Sequence, residues 1–253
     1  MRTTIDGSIF PVLRVMLEAG ERLVAETGEL AWKTPNVTLS TTTSGAGMAG
    51  LLGAVRRSLA GGGLFMTEFT AEGAPGLVAF ATRLPGQILE HQVGGGRAML
   101  VHRHGFLCAT PGVTLDLAIQ RSLGAGIFGG DGFRLQRVAG HGTFWTMLGG
   151  EIVPHDLAPG EVVDVHPGLV GMFEDTIAFD LTMLPGIRNK LFGDNGFFMA
   201  RLTGPGRVWL QTLTMPGLAH ALAPYMGGEK ATAAAEGSLL GAAVSGLLRQ
   251  ARK

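Results

Sequence analysis

Histidine is the residue type in this sequence whose spacing most directly suggests chemistry. The chain has seven histidines, and imidazole serves both as a metal ligand and as a general base near neutral pH. In a β-strand, His102 and His104 would project from the same face and supply half of a metal site. No His-x-His-x-Glu cluster accompanies them. His102 and His104 are therefore weak candidates for a metal site, and repeated hydrogen bonding is the alternative explanation.

A pair of aspartates raises the possibility of acid–base chemistry. Asp116 and Asp180 follow similar apolar segments and stand 180 − 116 = 64 residues apart. Paired carboxylates perform such chemistry when they are held about 5–10 Å apart. An aspartate at the edge of a turn can instead accept backbone N–H bonds. We expect the second role, with both aspartates at a corner of the fold.

Aromatic and basic residues recur together in a way that RNA-binding β proteins use. Trp145 and Trp209 are 64 residues apart, as are Arg137 and Arg201, and such pairs can stack on bases and contact phosphates. The charge balance opposes this reading, because 20 Lys and Arg offset 20 Asp and Glu, whereas nucleic-acid binding normally needs a basic face. Nucleic acid is therefore an unlikely partner, and large aromatic residues in strands are more often core.

Three apolar segments that carry basic residues are the strongest candidates for an interaction site. They occupy matching places along the chain, and their characteristic residues are Leu51, Leu52, Arg56 and Arg57 in the first, Arg121 and Phe128 in the second, and Arg188, Lys190 and Phe192 in the third. Exposed apolar patches mark partner or membrane interfaces, and nearby cations favour an anionic leaflet. Burial against the sheets or in a homo-oligomer contact is the alternative.

The elements that position these residues follow from an internal repeat in a glycine-rich chain, with 41 glycines among 253 residues. Sliding the sequence by 64 residues aligns 86–145 with 150–209 without a gap, and 16 of those 60 positions are identical. A more divergent copy lies upstream, where Gly20 corresponds to Gly96 and Gly160. Self-similarity at a fixed period indicates a repeat architecture. We expect three repeats, at about residues 8–81, 82–146 and 147–214.

Each repeat shows short apolar alternation broken by turn residues, which is typical of an all-β sandwich or barrel. The sequence predicts a single β domain over residues 1–226. Gly204-Pro205-Gly206 predicts a tight hairpin. Helix is expected only near the end, over 218–225 and in the alanine-rich segment 230–252, so that the tail 227–253 is helical or disordered.

The sequence resembles the altered-inheritance-of-mitochondria (mitochondrial biogenesis) family and its prokaryotic relatives. The segments that carry the resemblance are 196–211, 61–70 and Pro85-Gly86. The resemblance covers about residues 8–226. It implies three β repeats, each similar to the tryptophan-RNA-binding attenuation protein (TRAP), and a tendency to oligomerise. It implies no known reaction, and eukaryotic members are associated with the mitochondrial inner membrane.

The remaining features bear on location and function. A single cysteine, Cys108, requires no oxidising compartment, and neither a signal peptide nor an apolar span of about 20 residues is evident. We expect a cytoplasmic protein that can lie peripherally at the inner membrane face. The sequence favours a non-enzymatic, homo-oligomeric scaffold or assembly protein with a membrane or protein partner and no cofactor. A cupin-like metal-dependent enzyme and an RNA-binding β protein are the alternatives.

Overall fold

The computed structural model describes residues 1–26, 28–43, 65–121, 133–183 and 198–225. These residues form strands β1 to β19 and one α-helix, α1. The strands are β1 Arg2–Asp6, β2 Val12–Leu17, β3 Arg22–Glu26, β4 Trp32–Lys33, β5 Val37–Thr43, β6 Phe65–Ala71, β7 Gly76–Ala81, β8 Gly86–Val93, β9 Met99–His102, β10 Phe106–Ala109, β11 Val113–Arg121, β12 Phe133–Gly140, β13 Gly142–Gly149, β14 Ile152–Leu157, β15 Val162–Val165, β16 Val170–Glu174, β17 Ala178–Met183, β18 Phe198–Thr203 and β19 Gly206–Gln211.

The strands assemble into antiparallel sheets, which we number in chain order. Sheet 1 has the order β1-β2-β7-β4, sheet 2 β5-β6-β3-β10-β13-β8, sheet 3 β11-β12-β9-β16-β19-β14, and sheet 4 β15-β18-β17. The fold is therefore all-β and sandwich-like, as the sequence predicts, and the described residues form no closed barrel.

The strand order recurs with a period of six. Adding six to each strand number of sheet 2 gives the order of sheet 3. Adding six to the β11-β12-β9 half of sheet 3 gives sheet 4, and subtracting six from the β10-β13-β8 half of sheet 2 gives β4-β7-β2 of sheet 1. A repeat of six strands would generate this pattern.

Three apolar clusters fill the spaces between successive sheets. The first joins sheets 1 and 2 and includes Leu13, Phe80 and Phe69. The second joins sheets 2 and 3, and the third joins sheets 3 and 4 around Phe173. Because sheet 2 is covered on both faces, its central strand β10 is continuously apolar and every one of its residues is buried.

The tight connection at Gly204-Pro205 joins two sheets, so the predicted hairpin is wrong. β18 belongs to sheet 4 and β19 to sheet 3. Gly142 and Gly206 have φ values of +143° and +145° at equivalent crossings. A Cβ at Gly142 would collide with the Thr110 hydroxyl, so glycine is required by both conformation and space.

Both aspartates discussed above lie within strands, which corrects the expected turn position. Asp116 faces Arg137 across β11 and β12, and Asp180 faces Arg201 across β17 and β18. The recurrence of Asp with Arg therefore reflects a cross-strand position, where opposite charges are favourable.

The predicted helix at 218–225 is present but begins earlier. Helix α1 spans Met215–Leu222 and is followed by a 3₁₀ turn at Ala223–Tyr225. Thr214 caps it, because its Oγ1 accepts a hydrogen bond of 3.1 Å from the Gly217 N–H. None of the helix residues is buried. The predicted helix at 230–252 and the tail 227–253 lie outside the described residues.

Candidate functional site

The three apolar-basic segments each connect two adjacent antiparallel strands. The facing pairs at the open ends are Thr43 with Phe65, Arg121 with Phe133, and Met183 with Phe198. A shift of six strands relates the three strand pairs, β5–β6, β11–β12 and β17–β18. The three segments therefore begin and end at corresponding strand ends of sheets 1 to 4, which we call the frame. Most of the residues predicted for these segments lie outside the described residues, namely Leu51, Leu52, Arg56, Arg57, Phe128, Arg188, Lys190 and Phe192. Arg121 is the last residue of β11, and only its backbone is described.

The two histidines proposed as metal ligands are close together but do not share a strand. His102 ends β9, whereas His104 lies in the turn that follows. Their ring centroids are 6.0 Å apart. Burial, together with the smaller effects of neighbouring His104 and Arg103, lowers the pKa of His102 to about 4. In the described part of the chain, no group of three or more His, Cys, Asp or Glu side chains is placed to hold a metal ion.

The recurring histidines share a local hydrogen bond. The Gly168 N–H donates to Nδ1 of His166 over 3.2 Å, and the His104 N–H makes the corresponding, longer contact of 3.5 Å with Nδ1 of His102. In both cases a histidine at the end of a strand accepts from the residue two positions later. A repeated backbone contact therefore accounts for this pair of histidines.

The other recurring pair has diverged in environment. His91 packs 5.1 Å from the Phe144 ring and 5.5 Å from the Trp209 ring. Its Nε2 lies 3.2 Å from the Thr146 hydroxyl, and burial lowers its pKa to about 4. His155, by contrast, is exposed on β14. The structure thus gives His91 a neutral, structural role.

The residues considered for RNA stacking are engaged within the protein. Trp145 is 2% exposed, and its indole N–H donates to Glu90 over 3.1 Å. Trp209 is only partly buried and has the Arg207 guanidinium 5.9 Å from its ring centroid. Since a buried ring cannot stack on a base, Trp145 is a core residue.

Two of the arginines on the outer surface are held by carboxylates. Arg201 makes two hydrogen bonds of 2.8 Å to Asp164, and Arg207 makes bonds of 2.5 and 2.7 Å to Asp156. The hydrogen bonds from arginine lower the pKa of each aspartate. In each pair, the aspartate occupies the two parallel N–H donors of the guanidinium, which are the donors that would bind a phosphate.

A partly buried carboxyl between β3 and β12 is not predicted from the sequence. Oε1 of Glu26 accepts a 2.5 Å hydrogen bond from Nε2 of Gln136, whose side chain is fully buried. Burial raises the pKa of Glu26 to about 7, against the opposing effect of the Gln136 hydrogen bond. The signal was available, because Glu26 follows Gly20 by six residues just as His102 follows Gly96 and His166 follows Gly160.

The single thiol lies in the core. Cys108 is fully buried in β10, and burial raises its pKa well above the ordinary value. A protonated, inaccessible thiol is a poor nucleophile. Across the described ranges, no helix combines the length and apolar character that crossing a membrane would need.

One family model matches most of this chain, and two streptococcal proteins are similar to it. The model of the family described as mitochondrial biogenesis AIM24 matches residues 3–213. An uncharacterized protein of Streptococcus pyogenes serotype M6 is 28% identical over 231 residues, which cover 89% of this chain and 91% of that protein. A crystal structure of a Streptococcus pyogenes protein matches with a TM-score of 0.68 and 24% identity, covering 88% of this chain and 99% of that one. This last likeness supports the fold alone.

Proposed function

The chain belongs to the mitochondrial biogenesis AIM24 family, and from that premise we propose that it is a non-enzymatic scaffold built from three repeats, which self-associates and docks on an anionic membrane surface. The observation that carries the proposal is the corresponding exit of the three apolar-basic segments from β5–β6, β11–β12 and β17–β18. Three similar segments on one frame provide multivalent contact, which gives a higher avidity than any single segment.

The chemistry of the segments specifies the surface they would bind. Leu51, Leu52, Phe128 and Phe192 supply apolar side chains that can enter the headgroup region. Their basic neighbours add attraction to phosphatidylserine or similar lipids, at about 1 kcal/mol for each cation near the surface. A peripheral position at the membrane is therefore part of the proposal.

A flotation assay with vesicles tests the apolar contribution. The full chain is expected to float with phosphatidylserine-containing vesicles, and replacing Leu51, Leu52, Phe128 and Phe192 by Ser should reduce the bound fraction at least tenfold. The matched control replaces four exposed apolar residues of the described frame, Ile5, Ile9, Phe10 and Val153, by Ser. Absence of flotation by the unsubstituted chain would refute membrane docking.

The basic residues predict a lipid and salt dependence. Changing Arg56, Arg57, Arg121, Arg188 and Lys190 to Gln should reduce binding to anionic vesicles. Raising the salt concentration should weaken binding of the unsubstituted chain, because exposed charges are screened beyond about 10 Å at 0.1 M. Equal binding to neutral and anionic vesicles would contradict the electrostatic part of the proposal.

A further inference from the structure

Two strand edges are left without a neighbour in an otherwise regular pattern. Among the described residues, β4 pairs only with β7, and β15 pairs only with β18. Both edges carry large apolar residues at the surface, since Trp32 is 47% exposed and Val162 is 50% exposed. Soluble proteins normally protect such edges, because unpaired N–H and C=O groups invite another strand.

The strand order identifies the partner that each edge lacks. β3 pairs with β10 in sheet 2, and β9 pairs with β16 in sheet 3. Adding six to both strands of the β9–β16 pair gives β15 and a strand numbered 22. Three sets of six strands make eighteen, so strand 22 is the fourth strand of a following copy, which corresponds to β4. Sheets 4 and 1 are therefore the two halves of a third sheet with the order of sheets 2 and 3.

The register of this third pairing follows from the two that exist. On one side, Lys33 corresponds to Ala109 and Phe173. Their cross-strand partners are Val78 for Lys33, Phe144 for Ala109 and Val208 for Phe173. These partners are equivalent, because each lies two residues after the glycine that begins its strand, Gly76, Gly142 or Gly206. On the other side, Asp164 corresponds to Val24 and Leu100, because each lies four residues after Gly160, Gly20 or Gly96.

The corresponding residues face each other in both existing pairings. Ala109 is the partner of Val24, and Phe173 is the partner of Leu100. The third pairing would therefore place Lys33 directly opposite Asp164. Two apolar pairs inside the protomer are matched by one pair of opposite charges at the free edges, which is the complementarity that cross-strand neighbours favour.

The backbone at both edges has the matching orientation. The Thr34 N–H donates to Leu77 in β7, and the Glu161 carbonyl accepts from Gly204 on the β18 side, each over 2.9 Å. Successive residues of a strand direct their N–H and C=O groups to opposite sides. Lys33 and Asp164 therefore both direct their backbone groups towards the free edge.

We propose that β15 of one protomer pairs antiparallel with β4 of a second copy, with Asp164 opposite Lys33 of that copy. The inference specifies how the proposed scaffold self-associates. The two edges differ, so the contact is head-to-tail, and copies add until a ring closes or a filament forms. Asp164, which already receives two hydrogen bonds from Arg201, would then lie between two cations.

A disulfide tests both the register and the partner. In the proposed pairing, Thr34 faces Val163 as a non-hydrogen-bonded pair, for which the Cα atoms approach about 4.5 Å and a disulfide is feasible. The full chain with Thr34→Cys and Val163→Cys should form dimers and larger species on oxidation. Cys108 does not compete, because it is fully buried. The off-register control, Thr34→Cys with Glu161→Cys, should cross-link at least fivefold less.

The other outcomes of this experiment overturn the proposal. A disulfide formed within one chain would show that β15 and β4 of the same protomer close the third sheet, and equal cross-linking by the control pair would remove the register. Each single-cysteine variant measures the amount of non-specific cross-linking, because one accessible cysteine can form a disulfide-linked dimer but no larger species.

Charge variants provide a measurement that does not depend on cysteine. Lys33→Glu places like charges opposite each other and should raise the dissociation constant of self-association at least fivefold by light scattering, whereas Lys33→Arg should leave it within twofold. An unchanged constant for Lys33→Glu would refute the pairing. If the unsubstituted chain floats with vesicles but does not self-associate, this interface alone is refuted. If it self-associates but does not float, membrane docking alone is refuted.

Discussion

At the scale of single residues, chemistry-bearing side chains of this protein are used mainly for structure. His91 packs against aromatic rings, the Trp145 indole donates to Glu90, and Cys108 is fully buried. Glu26 differs, because burial holds its pKa near 7, within the range where protonation changes under mild conditions. Its hydrogen bond to Gln136 joins β3 of sheet 2 to β12 of sheet 3.

Glu26 predicts a specific pH dependence of stability. The pKa is raised from 4.5 to about 7 on folding, so the folded state holds the proton more tightly than the unfolded state. The contribution of Glu26 is therefore most favourable below pH 4.5 and is lost as the pH rises through 7. Glu26→Gln should remove this dependence and stabilise the protein at pH 8 by up to about 3.5 kcal/mol, given the rise in pKa from 4.5 to about 7 and about 1.4 kcal/mol per pKa unit.

Urea denaturation at pH 5 and pH 8 measures this effect. The substitution at Glu26 should improve stability more at pH 8 than at pH 5, whereas Glu18→Gln, at an exposed carboxyl, should change both equally. An equal effect of Glu26→Gln at the two pH values would contradict the assignment.

At the scale of elements, the sheets depend on abrupt crossings between strands that do not pair. β12 passes from sheet 3 to β13 in sheet 2, and β18 passes from sheet 4 to β19 in sheet 3. Gly142 and Gly206 make these crossings with φ near +145°. Other glycines, such as Gly96, have a positive φ but open space around the missing Cβ.

Alanine substitutions should separate these two uses of glycine. Gly96→Ala should cost about 1–2 kcal/mol through the left-handed backbone alone. Gly142→Ala should cost at least twice as much, because its Cβ would also collide with the Thr110 hydroxyl. Thermal unfolding of both variants provides the measurement, and equal losses would show that Thr110 moves without cost.

At the scale of the whole molecule, the interleaved sheets predict cooperative unfolding. Sheets 2 and 3 each combine strands from two successive sets of six, and each of these sheets borders two apolar clusters. No described set of six strands forms a complete sandwich that could remain folded after the next set unfolds. The described frame should therefore behave as one folding unit, in contrast to repeat proteins whose units contact only along a line.

A core truncation tests this cooperativity. Phe173→Ala in the third cluster should cost about 3–5 kcal/mol and should shift the whole unfolding transition. Trp32, Trp145 and Trp209 belong to sheets 1, 2 and 3, so their fluorescence reports on most of the frame. Phe10→Ala, at a residue 57% exposed, is the matched control. A separate early transition for sheets 3 and 4 would contradict a single unit.

The presence of β-strands and the 64-residue period of the sequence could be predicted from the residues alone. Alternation of apolar residues with period two and the 64-residue spacing of glycines are local properties, and local properties are what a sequence displays directly. The all-β fold class follows from them, whereas the family is indicated by the resemblance of residues 196–211 and 61–70. The sequence also predicts a helix over 218–225, and α1 begins earlier, at Met215, because Thr214 caps it there.

Only the tertiary structure decided which strands are neighbours and which polar groups are buried. Gly204-Pro205-Gly206 predicts a hairpin, but the flanking strands β18 and β19 belong to different sheets. The sequence predicts a turn position for Asp116, yet it lies within β11 opposite Arg137. The pairing of Glu26 with Gln136 joins residues 110 positions apart. Burial and pairing depend on contacts between distant segments, so no short stretch of sequence could specify them.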